Sequence, residues 1–249
     1  MVSGTQAAIT LDGKNQYLGR ADSNSLGIAN TWTLGFWSKP FANKEHATFF
    51  STAGRNDENR IDILTTPLPQ ETSVHGKRPS ELRVIIKDAD GTTIKHYSWP
   101  DWYQDNTWTH TFLQWDGVDL DAFKNGFTTT TGDAFVNATG SMSDFPDRKL
   151  FYGSAVAGSF ASLSGVAGHF GMWNSILDAD EIGTVVSGTF EIDLTTVSGG
   201  YFSTAIQHYW KPGFDSADTG QDFTTSGTPL TLNKQRNIDQ TNIIADTPA

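Results

Sequence analysis

The chain has 249 residues, carries 17 Lys+Arg against 28 Asp+Glu for a net charge of −11, and contains no cysteine. An acidic balance with no Lys/Arg block repels a phosphate backbone and argues against nucleic acid as a partner. Without cysteine there is no disulfide scaffold, thiolate nucleophile or thiolate metal site.

Length alone does not force a division, because single β-sandwiches commonly reach this size. Thr, Val, Ile and aromatic residues are abundant, 24 Gly punctuate them, and no long Ala/Glu/Lys/Leu stretch appears. The pattern is that of strands joined by turns, with stability drawn from aromatic rings that each remove ~150–250 Å² from water. Met1 to Gln6 has neither a basic nor an apolar region, so no signal peptide is read and synthesis in a cytoplasm is expected. Leu150–Gly168 is uncharged but holds four Ser and four Gly. It is too polar to span a bilayer and reads as strand, turn, strand, so no membrane partner is expected.

In chain order, Ala8–Leu11 is the first strand, and Asp12-Gly13 supplies the positive φ of a tight turn leading to Tyr17-Leu18, which predicts a hairpin. Trp32, Leu34 and Phe36 alternate with smaller residues up to Pro40, and Gly35 leaves room for a close neighbour. Strands are predicted at Thr48–Ser51, Arg60–Leu64, Leu82–Lys87 and Thr92–Tyr97, the last two joined by Asp88-Ala89-Asp90-Gly91. Thr65–Ser80, with three Pro, reads as a long structureless loop of the kind that serves binding. Thr107–Trp115, the turn Asp116-Gly117, Leu120–Phe123 and the turn Lys124-Asn125-Gly126 predict a further hairpin. After the strand Val166–Trp173, the acids following Ile176-Leu177 predict one short helix. Beyond Thr195 the pattern is less regular, with Tyr201–Tyr209 helical and a short strand within Ser226–Asn237.

Four of these pieces, in order, resemble the concanavalin A-like lectin/glucanase superfamily in its laminin-G-like form. They are Leu11–Leu18, Trp32–Pro40, Trp108–Gly126 and Val166–Ile182. The resemblance implies an all-β, antiparallel two-sheet jelly-roll sandwich with one short helix and a less regular tail. The organisation expected is a sandwich over 1–194 and an extension over 195–249 that packs on the sandwich or on a partner. The ending, from Ile206 to Asp215, then Leu230-Thr231-Leu232 and Asn242 to Pro248, is similar to tails of phage virion proteins that carry this fold.

Glucanases of the superfamily carry Glu-x-Asp-x-x-Glu on one strand, two carboxylates flanking the sugar. Glu191-Ile192-Asp193-Leu194-Thr195-Thr196 has Thr in place of the second Glu, so the acid/base pair is incomplete and no enzyme is expected. The six His, at 46, 75, 96, 110, 169 and 208, show no zinc-binding spacing. No motif demands a cofactor. Related domains hold Ca²⁺ in rim loops, and Asp116, Asp119 and Asp121, or Asp57 with Asn56 and Asn59, are candidates, with plain turn formation as the competing reading. For a glycan, Ser98-Trp99-Pro100-Asp101-Trp102-Tyr103-Gln104 reads as a loop with three aromatic platforms, so Trp99, Trp102, Tyr103, Asp101 and Gln104 are the candidate ligand residues. The competing reading is that the rings cover a sandwich edge or a subunit contact. The function expected is a non-enzymatic phage virion component, a decoration, fibre or adhesion module, synthesised in the host cytoplasm, homo-oligomeric, bound to capsid or tail proteins and contacting host glycans. A bacterial lectin and a degenerate glycoside hydrolase are the alternatives.

Overall fold

Alternation of apolar and polar residues sorts the strands into two sheets with a shared inner layer. The computed structural model describes residues 8–14, 16–20, 25–41, 46–54, 56–67, 79–128, 132–144, 149–155, 161–187, 206–212, 232–235 and 243–244. Sheet A runs, edge to edge, through β10 (Phe127–Thr128), β9 (Leu120–Lys124), β8 (Thr109–Trp115), β3 (Trp32–Pro40), β14 (Ser164–Trp173), β1 (Ala8–Asp12) and β17 (Ile243–Ile244), with β15 (Ile206–Trp210) also on β14. Sheet B runs through β11 (Asp133–Asn137), β7 (Thr93–Gln104), β6 (Pro79–Lys87), β5 (Ile61–Pro67), β4 (Ala47–Ala53), β12 (Lys149–Tyr152), β2 (Tyr17–Arg20) and β16 (Leu232–Gln235). A short β13 (Ala161–Ser162) pairs parallel to β4, while the other pairings are antiparallel.

The expected N-terminal hairpin does not form. Gly13 does take a positive φ of 73°, and the Asp12 carboxylate accepts from the amides of Lys14 (2.9 Å) and Gln16 (3.3 Å). The turn instead carries the chain from sheet A to sheet B, since β1 pairs with β14 and β2 with β12. The reason lies in the partners. The Gly13 amide donates to the Leu163 carbonyl at 3.0 Å, and Leu11 and Leu18 then enter the core from opposite layers.

Two further expectations are corrected. Thr65–Pro67 and Pro79–Ser80, at the two ends of the predicted loop, are paired strand residues of β5 and β6, and the rest of it, 68–78, lies outside the described residues. Ile206–Trp210, which overlaps the segment Tyr201–Tyr209 expected to be helical, is a strand. It lies end to end with β1 along one edge of β14: β1 occupies Ser164–Ala167 and β15 occupies Phe170–Trp173. The Glu191–Thr196 motif lies outside the described residues.

The helix α1 (Ala179–Ser187) begins where its capping chemistry dictates. Asp178 Oδ1 accepts from the Glu181 amide (2.9 Å) and Glu181 Oε2 from the Asp178 amide (2.6 Å), a reciprocal capping box. Its apolar face, Ile182 and Val185, packs on Phe112, Trp173 and Tyr209 and so covers the outer face of sheet A. Gly35 lies beneath Phe112: a Cβ there would stand 2.4 Å from the ring.

Alongside, Trp37, His110, His169 and Tyr209 form a buried row, with Tyr209 Oη 2.9 Å from His169 Nδ1 and the Trp37 and His110 ring centroids 4.7 Å apart. Burial, with the charge of His169 adding to it, pushes the pKa of His110 down to about 3. A base that stays neutral when folded binds its proton only on unfolding. Its contribution is therefore complete above the unfolded value of about 6.5 and falls as pH drops toward 3. Urea denaturation between pH 6 and 4 is expected to show stability falling by about 1.4 kcal/mol per pH unit per such proton, and His110→Phe is expected to flatten that slope.

Candidate functional site

α1 lies on sheet A, and the outer face of sheet B carries many polar side chains, buried around Thr48, Ser51, Asp62 and Ser98 and open at the β11 edge. Its inner residues, Ile61, Ile63, Val84, Ile86, Tyr97 and Trp99, belong to the core, so their neighbours along each strand face outward. Register aligns those neighbours in two rows. One runs Thr48–Leu64–Arg83–Ser98–Asp133 and the other Phe151–Ser51–Asp62–Ile85–His96–Val136.

At one end of the second row sits an ion network. Asp62, 1% exposed, accepts from Ser51 Oγ (2.6 Å) and Arg60 Nε (2.5 Å). Arg60 also pairs with Asp57 (2.6 Å), and Asp57 with Lys87. Burial raises the Asp62 carboxyl despite its partners, whereas at Asp57 the hydrogen bonds and charges of Lys87 and Arg60 outweigh partial burial and hold the carboxyl below its usual range.

At the other end lies a mixed aromatic and polar cluster. Phe135, on the edge strand β11, is 59% exposed, and its centroid is 4.8 Å from that of His96 and 5.4 Å from Arg83 Cζ. Arg83 pairs with Glu81 on the same strand face. Burial first, then the Arg83 charge, holds His96 below the usual imidazole range, so it is neutral at pH 7. An apolar ring beside a guanidinium, a carboxylate and a neutral imidazole can stack on a sugar face and hydrogen-bond its polar groups. The signal in the sequence was the alternation Glu81-Leu82-Arg83-Val84. What brings His96 and Phe135 beside it is cross-strand register, which no local pattern states.

The residues expected to bind ligand lie elsewhere. Ser98–Gln104 belongs to β7 and is not a loop, and Trp99, Trp102 and Tyr103 are 4%, 2% and 0% exposed, inside the core. Three-residue spacing would put Trp99 and Trp102 on opposite faces of a regular strand. Asp101, at φ 53°, sits in a register irregularity in which Ser80 opposes Tyr103 but Leu82 opposes Trp99, and both indoles then turn inward. Trp102 Nε1 donates to Thr111 Oγ1 (2.9 Å), which also lies 3.0 Å from Tyr103 Oη. Only Asp101 and Gln104 of that group are exposed.

Asp116 Oδ1 accepts from the amides of Asp119 (2.7 Å) and Val118 (2.8 Å), which hold its carboxyl below the usual range and close the β8–β9 turn. Asp121 stands on β9, its carboxyl raised by burial and by the charges of Asp119 and Asp116. Asn59 Oδ1 accepts from the Ser143 amide, at 2.5 Å. Among the described residues no three His, Asp or Glu side chains are grouped to hold a metal ion.

No protein-family model matches the chain, and no curated protein matches it. A native heptameric SAP-like pentraxin from Limulus polyphemus superposes with a TM-score of 0.54 at 20% identity, over 75% of this chain and 84% of that one. The chain has the concanavalin A-like jelly-roll fold. A candidate carbohydrate-binding protein from Bacteroides ovatus superposes with a TM-score of 0.59 at 12% identity, over 98% of this chain and 61% of that one. This chain thus spans about three fifths of the second protein's length.

Asp62→Ala leaves the buried Arg60 with Asp57 alone and strips Ser51 Oγ of its acceptor, and thermal and urea unfolding are expected to show a loss of about 1–3 kcal/mol. Asp133→Ala, at the exposed edge, is expected to change stability by less than about 0.5 kcal/mol.

Proposed function

We propose that the chain is a non-catalytic sandwich that recognises glycans through the outer face of sheet B. The observation that carries the reading is the Phe135–His96–Arg83–Glu81 cluster, an exposed aromatic ring among hydrogen-bonding groups on the sheet face opposite the helix. The carbohydrate-binding description of the Bacteroides ovatus structure agrees with it. The non-catalytic part is supported by what the carboxylates do: Asp62 and Asp57 are committed to cations, Asp116 to a turn, and Asp178 and Glu181 to a helix cap. On a glycan array the protein is expected to bind a restricted set of sugars, and Phe135→Ala to weaken that binding by about 10-fold without lowering the melting temperature. Binding unchanged by Phe135→Ala would remove this face from the reading.

A second, compatible reading is that the sandwich is displayed as a homo-oligomeric component of a phage particle. Its support is Phe127, 77% exposed on the edge strand β10, with Val118, 62% exposed in the β8–β9 turn, both apolar groups of the kind that contacts between subunits cover. Light scattering is expected to give a closed oligomer that Phe127→Ser loosens, and mass spectrometry of purified particles to detect the chain. A monomer absent from particles would leave the free lectin.

A further inference from the structure

The Arg83–His96–Phe135 cluster holds polar nitrogens that are buried and without a partner. Arg83 Nε and His96 Nε2 are shielded from solvent, and neither has a hydrogen-bond partner among the described residues. The Arg83 guanidinium spends a different nitrogen on Glu81. A buried donor left unsatisfied costs about 1–3 kcal/mol.

The Phe135 ring lies over both groups, yet it is 59% exposed on its other side. It stands at the irregularity of β11, where the register jumps between Ala134 and Val136 on a strand paired on one edge only. Its backbone is therefore not fixed by a pairing to β7, and its side chain has open solvent to rotate into. A ring placed in this way yields to any group that satisfies the nitrogens beneath it.

Charge limits what that group is. A guanidinium nitrogen only donates, so the incoming atom must be an acceptor. Glu81 already neutralises Arg83, His96 is uncharged at pH 7, and Asp133 stands at the end of the same row. A further carboxylate would be opposed there, whereas a neutral carbonyl oxygen would not. Resting on the glycan-binding reading, we infer that Phe135 is a movable cover over Arg83 Nε and His96 Nε2, displaced by the acetamido carbonyl of an N-acetylated sugar as the ring turns onto the sugar's apolar face.

Titration calorimetry of the full chain with a β-1,4-linked N-acetylglucosamine trimer, the matching glucose trimer and a glucuronate trimer tests the inference. The N-acetylated trimer is expected to bind at least about 10-fold more tightly than the glucose trimer. Arg83→Lys keeps the charge but loses Nε, and is expected to bring that ratio close to one. Phe135→Ala is expected to weaken both sugars and keep the ratio, since the donors remain. Equal binding of the two neutral trimers, preference for the glucuronate trimer, or a ratio untouched by Arg83→Lys would overturn the inference while leaving glycan binding in place. A chain that binds no sugar on the array would remove the glycan reading itself, and the inference with it.

Discussion

The contact on which the sandwich turns is the Phe170 ring. It stands within 5.0–6.3 Å of Phe36 and Trp210 from sheet A and of Phe50 and Tyr152 from sheet B, so one side chain fastens both layers. Rings of this size bury large areas and prefer offset or tilted contacts, which fixes the spacing and relative position of the sheets together. Phe170 belongs to β14, the strand that also carries β1, β3 and β15, and the pairing of sheet A is thereby tied to the packing of the core.

Once the inner layer is set, the two outer faces diverge. On sheet A, Gly35 and Gly171 lack side chains, and the rings of Phe112 and Trp173 lie over them to make an apolar surface that α1 closes. On sheet B the outward positions mix Leu64, Ile85, Val136 and Phe151 with Thr, Ser, Arg, His, Asp and Glu, and an apolar helix face laid over them would strand the charges. The buried Arg60–Asp62 pair anchors one end of that face and leaves the other end, around Phe135, as the part where solvent and side chain meet.

The edge of sheet B explains why that end stays open and is not a seam between sheets. A regular five-residue edge strand without Lys or Pro would invite another chain to pair with it. The irregularity in β11 shifts the face parity between Asp133 and Asn137, and a second copy could not pair in register along it. The same irregularity presents Phe135 outward. One extra residue both guards the edge and forms the aromatic part of the cluster.

Much of the architecture was legible in the chain. Alternation marked β3, β8, β9 and β14 nearly to the residue, Asn125-Gly126, both at positive φ, marked the turn after β9, and Asp178 with Glu181 marked the helix start. These are local signals, each carried by residues within a few positions of one another. The amino-acid sequence by itself determined strand identity, turn chemistry and the helix cap. Only the tertiary structure decided that Asp12-Gly13 changes sheets, that Ile206–Trp210 completes sheet A, that Trp99 and Trp102 are core, and that Arg83, His96 and Phe135 meet. Each of those outcomes depends on which distant strand becomes a neighbour and in which register, and a one-residue change of register would turn every side chain to the other face.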